Sequence, residues 1–402
     1  MEKDKLFSKN FFVVFIIDFL LALVYFTLMV TVAQYAVDEF KASTSQAGLV
    51  TGIFVLGIML SRIIVGRIID SVGRKKILLL GIVFYIAATI MYFIVGNLMF
   101  LLIIRFFHGI SLGFTSTATA TVIVQILPES RRGEGIGIFS LALIISNALG
   151  PFLGLFLIEK TSYNSMFICC LILGLMSLLL AGFLTVPPTK QPLENNSEIR
   201  RAKLTNFIEP SVLSISIIML MIGFAYSTIP AFISFFAQDL DLMDEASYFF
   251  IVYSVIIIIS RPIMGRLFDS KGANMTIYPS LLFFMGGMIL LSQVNAGWNL
   301  LLAGAFIGFG YGNLVSSGQT FAVKLTPSHR LGMATSTFFV FLNLGFGLGP
   351  YLGGFLIPLI GFRSLFMTLA GLSFVCVILY YLMHGRREIS QVLETTISIE
   401  KN

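Results

Sequence analysis

Twelve long apolar segments, separated by short polar connections, constrain this chain more than any other feature of its sequence. They occupy roughly residues 11–35, 46–69, 76–96, 98–126, 133–158, 164–186, 211–237, 246–268, 276–294, 298–323, 332–357 and 362–383. About 20 apolar residues, at about 1.5 Å per residue in a helix, cross the hydrocarbon core of a bilayer. The sequence therefore predicts an all-α membrane protein with twelve transmembrane helices.

The composition excludes a soluble globular protein. Of the 402 residues, 57% are hydrophobic and 11% are charged, whereas a soluble domain has about 25% charged residues. The net charge of +6 is spread over short loops and forms no patch interleaved with aromatic residues, so we expect no nucleic-acid partner. The three cysteines lack the spacing of metal ligands, so we expect no metal site.

The positive charges predict the orientation. With a cytoplasmic N-terminus, 20 of the 26 lysines and arginines fall in inner loops and tails, and 3 fall in outer loops. Positive residues favour the cytoplasmic side of a membrane protein. We therefore expect a multi-pass protein of the plasma membrane with both termini in the cytoplasm.

An internal repeat divides the chain into two halves. Residues 61–73 and 260–272 are identical at eight of thirteen positions, at an offset of 199. The longest polar stretch, 187–210, lies between the sixth and seventh segments. We expect a six-helix bundle over 1–186, a cytoplasmic linker over 187–210, and a second bundle with a cytoplasmic tail over 211–402. Parallel repeats of this kind enclose a cavity between two bundles.

Three motifs have the spacing of a known family. The first motif follows the second segment, and its members are Gly66, Arg67, Asp70, Gly73, Arg74 and Lys75. Its second copy contains Arg261, Gly265, Arg266, Asp269 and Gly272. The fourth segment contains Arg105, His108, Gly109 and Gly113 at motif spacing. The fifth contains Ser146, Asn147, Gly150, Pro151 and Gly154, and the eleventh contains Gly345, Gly349, Pro350, Gly353 and Gly354.

With these motifs the chain resembles the major facilitator superfamily over its full length. The fifth-segment motif marks antiporters in that family, chiefly proton-coupled exporters of drugs and metabolites. It departs from the family pattern at Ser146 and Leu155, where glycines are usual. The resemblance implies two pseudo-symmetric six-helix bundles that exchange a small solute for protons by alternating access.

Asp18, Arg105 and His108 are the candidates for proton coupling. Asp18 lies about 11 Å into the first segment. A charged carboxylate at that depth costs about 3 kcal/mol unless it faces a cavity. It is either a proton carrier or an aspartate at the helix entry that reaches the membrane interface. Arg105 has no charged counterpart at the 199 offset, where Gly304 stands, and the counterpart of Asp18 at that offset is Ile217. Arg105 could influence the protonation of Asp18, bind an anionic substrate group, or be satisfied by backbone carbonyls. His108 is either a titrating group or a packed neutral histidine.

Other polar residues have candidate gating and binding roles. Asp70 could hold the cytoplasmic side closed, or the motif could be a turn with a positive anchor. Arg62 and Arg261 are expected near the inner face, on phosphates or on Asp70 and Asp269. The Gly-Pro pairs are expected to let the fifth and eleventh helices pack against each other across the pseudo-twofold axis. Candidate cavity residues are Tyr25, Arg105, Asn147, Tyr226, Tyr253, Asn313 and Asn343.

The sequence predicts a transporter rather than an enzyme. No G-x-x-x-x-G-K-[ST] stretch occurs, so we expect a proton gradient and no cofactor to drive transport. The expected partners are protons, membrane lipids and a small amphipathic solute, either drug-like or a metabolite such as a siderophore or metallophore, and we expect a monomer. A nutrient-importing symporter and a non-transporting membrane sensor or scaffold remain as alternatives.

Overall fold

The computed structural model describes residues 7–128, 131–186, 208–327 and 330–386. These residues form twelve α-helices and no β-strand. The helices are α1 (Lys9–Phe40), α2 (Thr44–Val72), α3 (Arg74–Met91), α4 (Leu98–Ile126), α5 (Arg132–Phe139), α6 (Leu141–Lys160), α7 (Tyr163–Gly182), α8 (Leu213–Gln238), α9 (Met243–Lys271), α10 (Asn274–Ser292), α11 (Gly297–Lys324) and α12 (Leu331–Tyr380). Most of the expected linker, residues 187–207, lies outside the described residues.

These helices make twelve membrane crossings, as the sequence predicts. Two short helices, α5 and α6, follow each other at Ser140 and together form the fifth crossing. The 50 residues of α12 exceed what one crossing needs, which is about 20. Gly361 interrupts α12 with φ 77° and ψ 167°, a left-handed conformation that favours glycine. The chain turns there, so that α12 supplies the eleventh and twelfth crossings.

Polar caps set several helix ends. Ser43 accepts a hydrogen bond from the Gln46 backbone, and the Gln46 side chain accepts one from the Ser43 backbone, which forms a capping box at the start of α2. Asn97 and Ser162 cap α4 and α7 with their side-chain oxygens, which accept hydrogen bonds from the backbone of Phe100 and Ser165. Gly73 ends α2 at φ 101°. The apolar segments thus become helices bounded by residues whose side chains or backbone satisfy free backbone groups.

Each half of the chain has its own hydrophobic core. One core consists of buried side chains from α1–α4 and α7, and the other is built almost entirely from α8–α12. Within each half the helices approach at matched glycines. A Cβ on Gly109 would lie 2.0 Å from the Phe54 carbonyl oxygen, and a Cβ on Gly308 would lie 2.4 Å from that of Tyr253. Both pairs are related by the offset of 199, so the repeat preserves the contact of the second crossing with the fourth.

The offset differs for the first crossing of each half. A Cβ on Gly150 would lie 2.9 Å from the Leu23 carbonyl oxygen, and one on Gly349 would lie 2.3 Å from that of Phe224. These contacts relate α1 to α8 by 201 residues, because the chain between equivalent points of α8 and α9 is two residues shorter than that between the corresponding points of α1 and α2. The counterpart of Asp18 is therefore Met219, and the expectation of Ile217 was wrong.

The two halves meet mainly through three helix pairs, α2 with α12, α6 with α9, and α1 with α8, and α2 also contacts α8. The Thr44 hydroxyl of α2 donates to the Gly354 carbonyl of α12 at 2.6 Å. The expected packing of the fifth crossing against the eleventh does not occur in the described residues. The reason is that Gly150 and Gly154 of α6 are occupied by α1 of their own bundle, as Gly345 and Gly349 of α12 are by α8.

Candidate substrate cavity

A cavity of about 350 Å³ lies between the two bundles. Its walls come from α1, α2, α4 and α6 of the first half and from α8, α9, α11 and α12 of the second. Most lining side chains are apolar or aromatic. The polar or charged ones are Asp18, Tyr25, Arg62, Thr115, Ser116, Asn147, Tyr226, Tyr253, Arg261, Tyr311 and Asn343. A largely apolar chamber with few polar groups is typical of a small-molecule site.

The bundles touch at one membrane face, which contains the connection between α1 and α2 and which we call the α1–α2 face. A Cβ added to Gly48 would lie 1.9 Å from the Pro350 carbonyl oxygen, so α2 and α12 are in backbone contact there. At the same face the Gln34 amide donates to Gln238 at 3.2 Å. These contacts close the cavity at the α1–α2 face.

The opposite face, where α1 begins and α12 ends, we call the termini face. Gly66 of α2, Gly265 of α9 and Gly332 of α12 lie toward it, and a Cβ on any of them would meet no atom within 4 Å. Among the described residues, these three positions make no counterpart of the contact between Gly48 and Pro350. The orientation predicted from the positive charges would place the termini face in the cytoplasm, and that orientation stays a prediction.

Asp18 lies on the cavity wall. Its side chain is half-buried, and its Oδ1 accepts a hydrogen bond from the Thr119 hydroxyl at 2.7 Å. It follows Lys9, at the start of α1, by nine positions, a rise of about 14 Å. The carboxylate faces the cavity, where protons from water can reach it, as the proton-carrier interpretation requires.

Aromatic rings form the wall opposite Asp18. The rings of Tyr226 and Tyr311 stack at a centroid distance of 3.8 Å, and Tyr253 lies 5.8 Å from Tyr226. The Asn147 side chain of the first bundle faces the hydroxyls of Tyr226 and Tyr253 in the second. Tyr25 lies on the first bundle's side of the chamber. The predicted residues Tyr25, Asn147, Tyr226, Tyr253 and Asn343 all lie on the wall.

Arg62 and Arg261 also lie on the wall, and sequence reasoning placed them elsewhere. Each precedes the end of its helix, α2 or α9, by ten residues, about 15 Å. Arg62 is exposed and Arg261 is half-buried. Two features of the sequence could have identified Arg62 and Arg261 as cavity residues: their distance from the helix ends and their matched positions in the repeat. The expected contact with phosphates near the inner face underestimated that depth.

Arg105 and His108 lie inside the first bundle, away from the cavity wall. Both are fully buried. Arg105 donates to the Val50 carbonyl at 3.1 Å and lies 4.2 Å above the ring of Phe54. The Tyr92 hydroxyl contacts both Nδ1 of His108 at 3.2 Å and Nη1 of Arg105 at 3.4 Å. This environment matches the interpretation of Arg105 as an arginine held by backbone and aromatic groups, and that of His108 as a packed histidine.

Asn313 was predicted to line the cavity and is buried beside it. Its amide donates to the Ser260 hydroxyl and to the Phe309 carbonyl, each at 2.8 Å. It joins α9 to α11 within the second bundle. The sequence could not separate the two faces of α11, because helices that are apolar all round give no directional signal.

The loop motifs lie at the termini face. Arg74 donates to the Gln125 side chain at 2.5 Å, and Lys75 donates to the Gly182 carbonyl at 3.2 Å. The side chains of Arg67 and Asp70 lie outside the described part of the structure. In the second copy, Arg266 and Asp269 are exposed. The gating role of Asp70 stays a prediction.

Comparisons with known proteins agree with this architecture. The Major Facilitator Superfamily profile matches residues 14–299 and 245–396. An uncharacterized MFS-type transporter of Methanocaldococcus jannaschii is 26% identical over 93% of this chain and 98% of its own length. The multi-drug resistance efflux pump PmrA of Streptococcus pneumoniae is 25% identical over 80% of this chain and 81% of its own.

Among solved structures, a bacterial homolog of the human lysosomal transporter Spinster, inward-facing and unoccupied, has the same fold. It superposes with a TM-score of 0.78 at 15% identity, covering 94% of this chain and 97% of that one. The profile match extends over nearly the whole sequence, from the first crossing to the last. On this match, and with its twelve crossings in two related bundles, the chain belongs to the Major Facilitator Superfamily and is a membrane transporter.

Proposed function

We propose that this protein exports a small amphipathic solute in exchange for protons by alternating access. The observation that supports this most directly is the position of Asp18 on the wall of a cavity that is closed at the α1–α2 face. A carboxyl at this place can take up a proton when the cavity opens to one side and release it when it opens to the other. The solute occupies the same cavity, so that proton and solute bind in alternation.

The walls of the cavity favour an amphipathic solute. Stacked tyrosines offer flat apolar surface, while Asn147, Asn343 and the tyrosine hydroxyls offer a few hydrogen bonds that orient a ligand. PmrA, to which this chain is similar, is a multi-drug resistance efflux pump, and this similarity supports export of a drug-like compound or of a metabolite such as a siderophore or metallophore.

The test measures proton movement, because it needs no knowledge of the solute. The purified protein is reconstituted into liposomes that enclose the pH-sensitive dye pyranine, and a panel of amphipathic compounds is added under an imposed pH gradient. We expect at least one compound to drive proton flux. The Asp18→Asn variant should lose this flux, because an amide cannot exchange a proton.

Asp38→Asn is the matched control. It makes the same chemical change on the same helix, at an exposed position near the end of α1 and away from the cavity. Its flux should equal that of the wild type. Compound accumulation on the side toward which protons flow would identify an importing symporter. If no compound drives proton flux and none is transported, the proposal fails, and a membrane sensor or scaffold is favoured instead.

A further inference from the structure

The cavity wall contains two arginines, one from each bundle, that have no acidic partner among the described residues. Arg62 of α2 and Arg261 of α9 occupy the same place in the internal repeat, and both line the cavity. In the described part of the chain, neither makes an ion pair or a hydrogen bond with another residue. A guanidinium this far from the helix end is retained where it meets water or a ligand.

Asp18 does not neutralise these arginines. It is the one acidic residue on the described wall, and its hydrogen bond goes to Thr119. The wall therefore has a net charge of +1 when Asp18 is ionised and +2 when it is protonated. A chamber with excess positive charge and few other polar groups attracts an anion.

From these observations we propose that the solute is an amphipathic anion, whose carboxylate, sulfonate or phosphate group binds between Arg62 and Arg261. This inference rests on the proposed function and narrows its substrate class. Guanidinium groups bind such oxyanions through paired hydrogen bonds. The aromatic rings beside the arginines would hold the apolar body, since Tyr25 lies near Arg62 and Tyr253 lies near Arg261.

The two arginines come from different bundles, which gives the anion a mechanical role. When the termini face closes, the chamber shrinks around both guanidinium groups, and like charges in a dry chamber repel. An anion between them removes that repulsion. Closure of the termini face around the solute then depends on the presence of the negative charge.

The test uses three probes of one shape and different charge: naphthoate, naphthamide and naphthylmethylamine. Their dissociation constants for the purified protein are measured by thermal-shift titration. We expect naphthoate to bind at least about tenfold more tightly than naphthamide. Arg62→Gln and Arg261→Gln should each weaken naphthoate binding by about tenfold, because each removes a charged hydrogen-bond donor, and should leave naphthamide binding unchanged.

Two further sets of variants guard the interpretation. Arg62→Lys and Arg261→Lys keep the charge, and should retain part of the preference for naphthoate even if the glutamine variants fold poorly. Lys41→Gln removes one positive charge at an exposed position near the α1–α2 face, and should bind all three probes as the wild type does. Phosphatidylglycerol added to the detergent micelles that hold the purified protein should not displace naphthoate. Displacement at equal concentration would assign the site to a lipid headgroup.

The inference is overturned if the wild type does not prefer naphthoate to naphthylmethylamine. It is also overturned if folded arginine variants bind naphthoate as tightly as the wild type. Its failure is distinct from failure of the proposed function. Proton flux driven by cationic compounds, unaffected in the arginine variants, would retain export and reject the anion site. Arginine-dependent naphthoate binding without any proton or solute flux would retain the anion site and reject export.

Discussion

The contact of α2 with α12 predicts that a single methyl group shifts the conformational equilibrium. A Cβ on Gly52 would lie 2.1 Å from the Gly347 carbonyl oxygen, where ordinary contact begins at 3.4 Å. The two helix backbones must therefore move apart by about 1.3 Å to accept Gly52→Ala. Neither backbone can give way locally, because both are within long helices.

The cost applies to one conformation only. Overpacking of this kind costs about 1–3 kcal/mol. This cost disappears when the bundles separate at the α1–α2 face. A bias of that size changes the ratio of the two conformations by roughly 5–150-fold. We expect Gly52→Ala to increase the population that is open at the α1–α2 face.

Distances between spin labels measure this population. Labels on cysteines placed at Glu39 and Asp239, both exposed at the α1–α2 face, report the separation of α1 from α8. The native Cys169, Cys170 and Cys376 are first replaced by alanine. In pulsed electron paramagnetic resonance, Gly52→Ala should add or enlarge a long-distance component.

The matched control is Gly371→Ala, which places a methyl on α12 where it meets no atom within 4 Å. It should leave the distance distribution unchanged. The reasoning is refuted if folded Gly52→Ala has the distribution of the wild type. It is refuted equally if Gly371→Ala produces the same shift.

Two further predictions concern ion pairs at opposite faces. Arg330→Gln should lower the thermal unfolding midpoint more than Glu209→Gln. In the first variant the carboxylate of Glu209, which is 5% exposed, loses its partner at 2.9 Å, whereas in the second variant Arg330, which is 36% exposed, can turn to water. The unpaired carboxylate costs about 1–3 kcal/mol, and equal midpoints for both variants would contradict this prediction. Lys160→Ala should leave the spin-label distances unchanged, because the 3.6 Å pair of Lys160 with Asp244 joins exposed side chains, and such pairs add little net stability. A shift as large as that of Gly52→Ala would show that the ion pair, and not the glycine contact, holds this face closed.

The positions of the helices along the chain could be predicted from the sequence with few errors. An apolar segment of membrane-spanning length has few alternatives to a helix, because its backbone groups must bond to each other in lipid. The turn at Gly361 and the break at Ser140 fall inside or beside predicted boundaries, so the count of twelve crossings survives both.

The direction of each side chain was harder to predict. Tyr226 and Asn313 are both polar residues in apolar helices, and only the first reaches the cavity. Arg105 and Arg62 are both arginines within helices, and only the second does. In helices that are apolar on all sides, the face toward lipid and the face toward a neighbour have the same composition. Helix rotation comes from tertiary contacts such as Gly109 against Phe54, which a single sequence does not reveal.

The two offsets explain why chemistry differs between halves that share a scaffold. Glycine contacts fix how α2 packs on α4, and likewise how α9 packs on α11, and these keep the arginines Arg62 and Arg261 at equivalent places on the wall. The first crossing of each half follows a different register, in which Asp18 of α1 corresponds to Met219, a fully buried residue of α8. The repeat therefore duplicates the positive charges and leaves the carboxyl single. For the anion site proposed above, a single carboxyl on the wall has a consequence for charge, because a second carboxylate there would cancel the remaining positive charge.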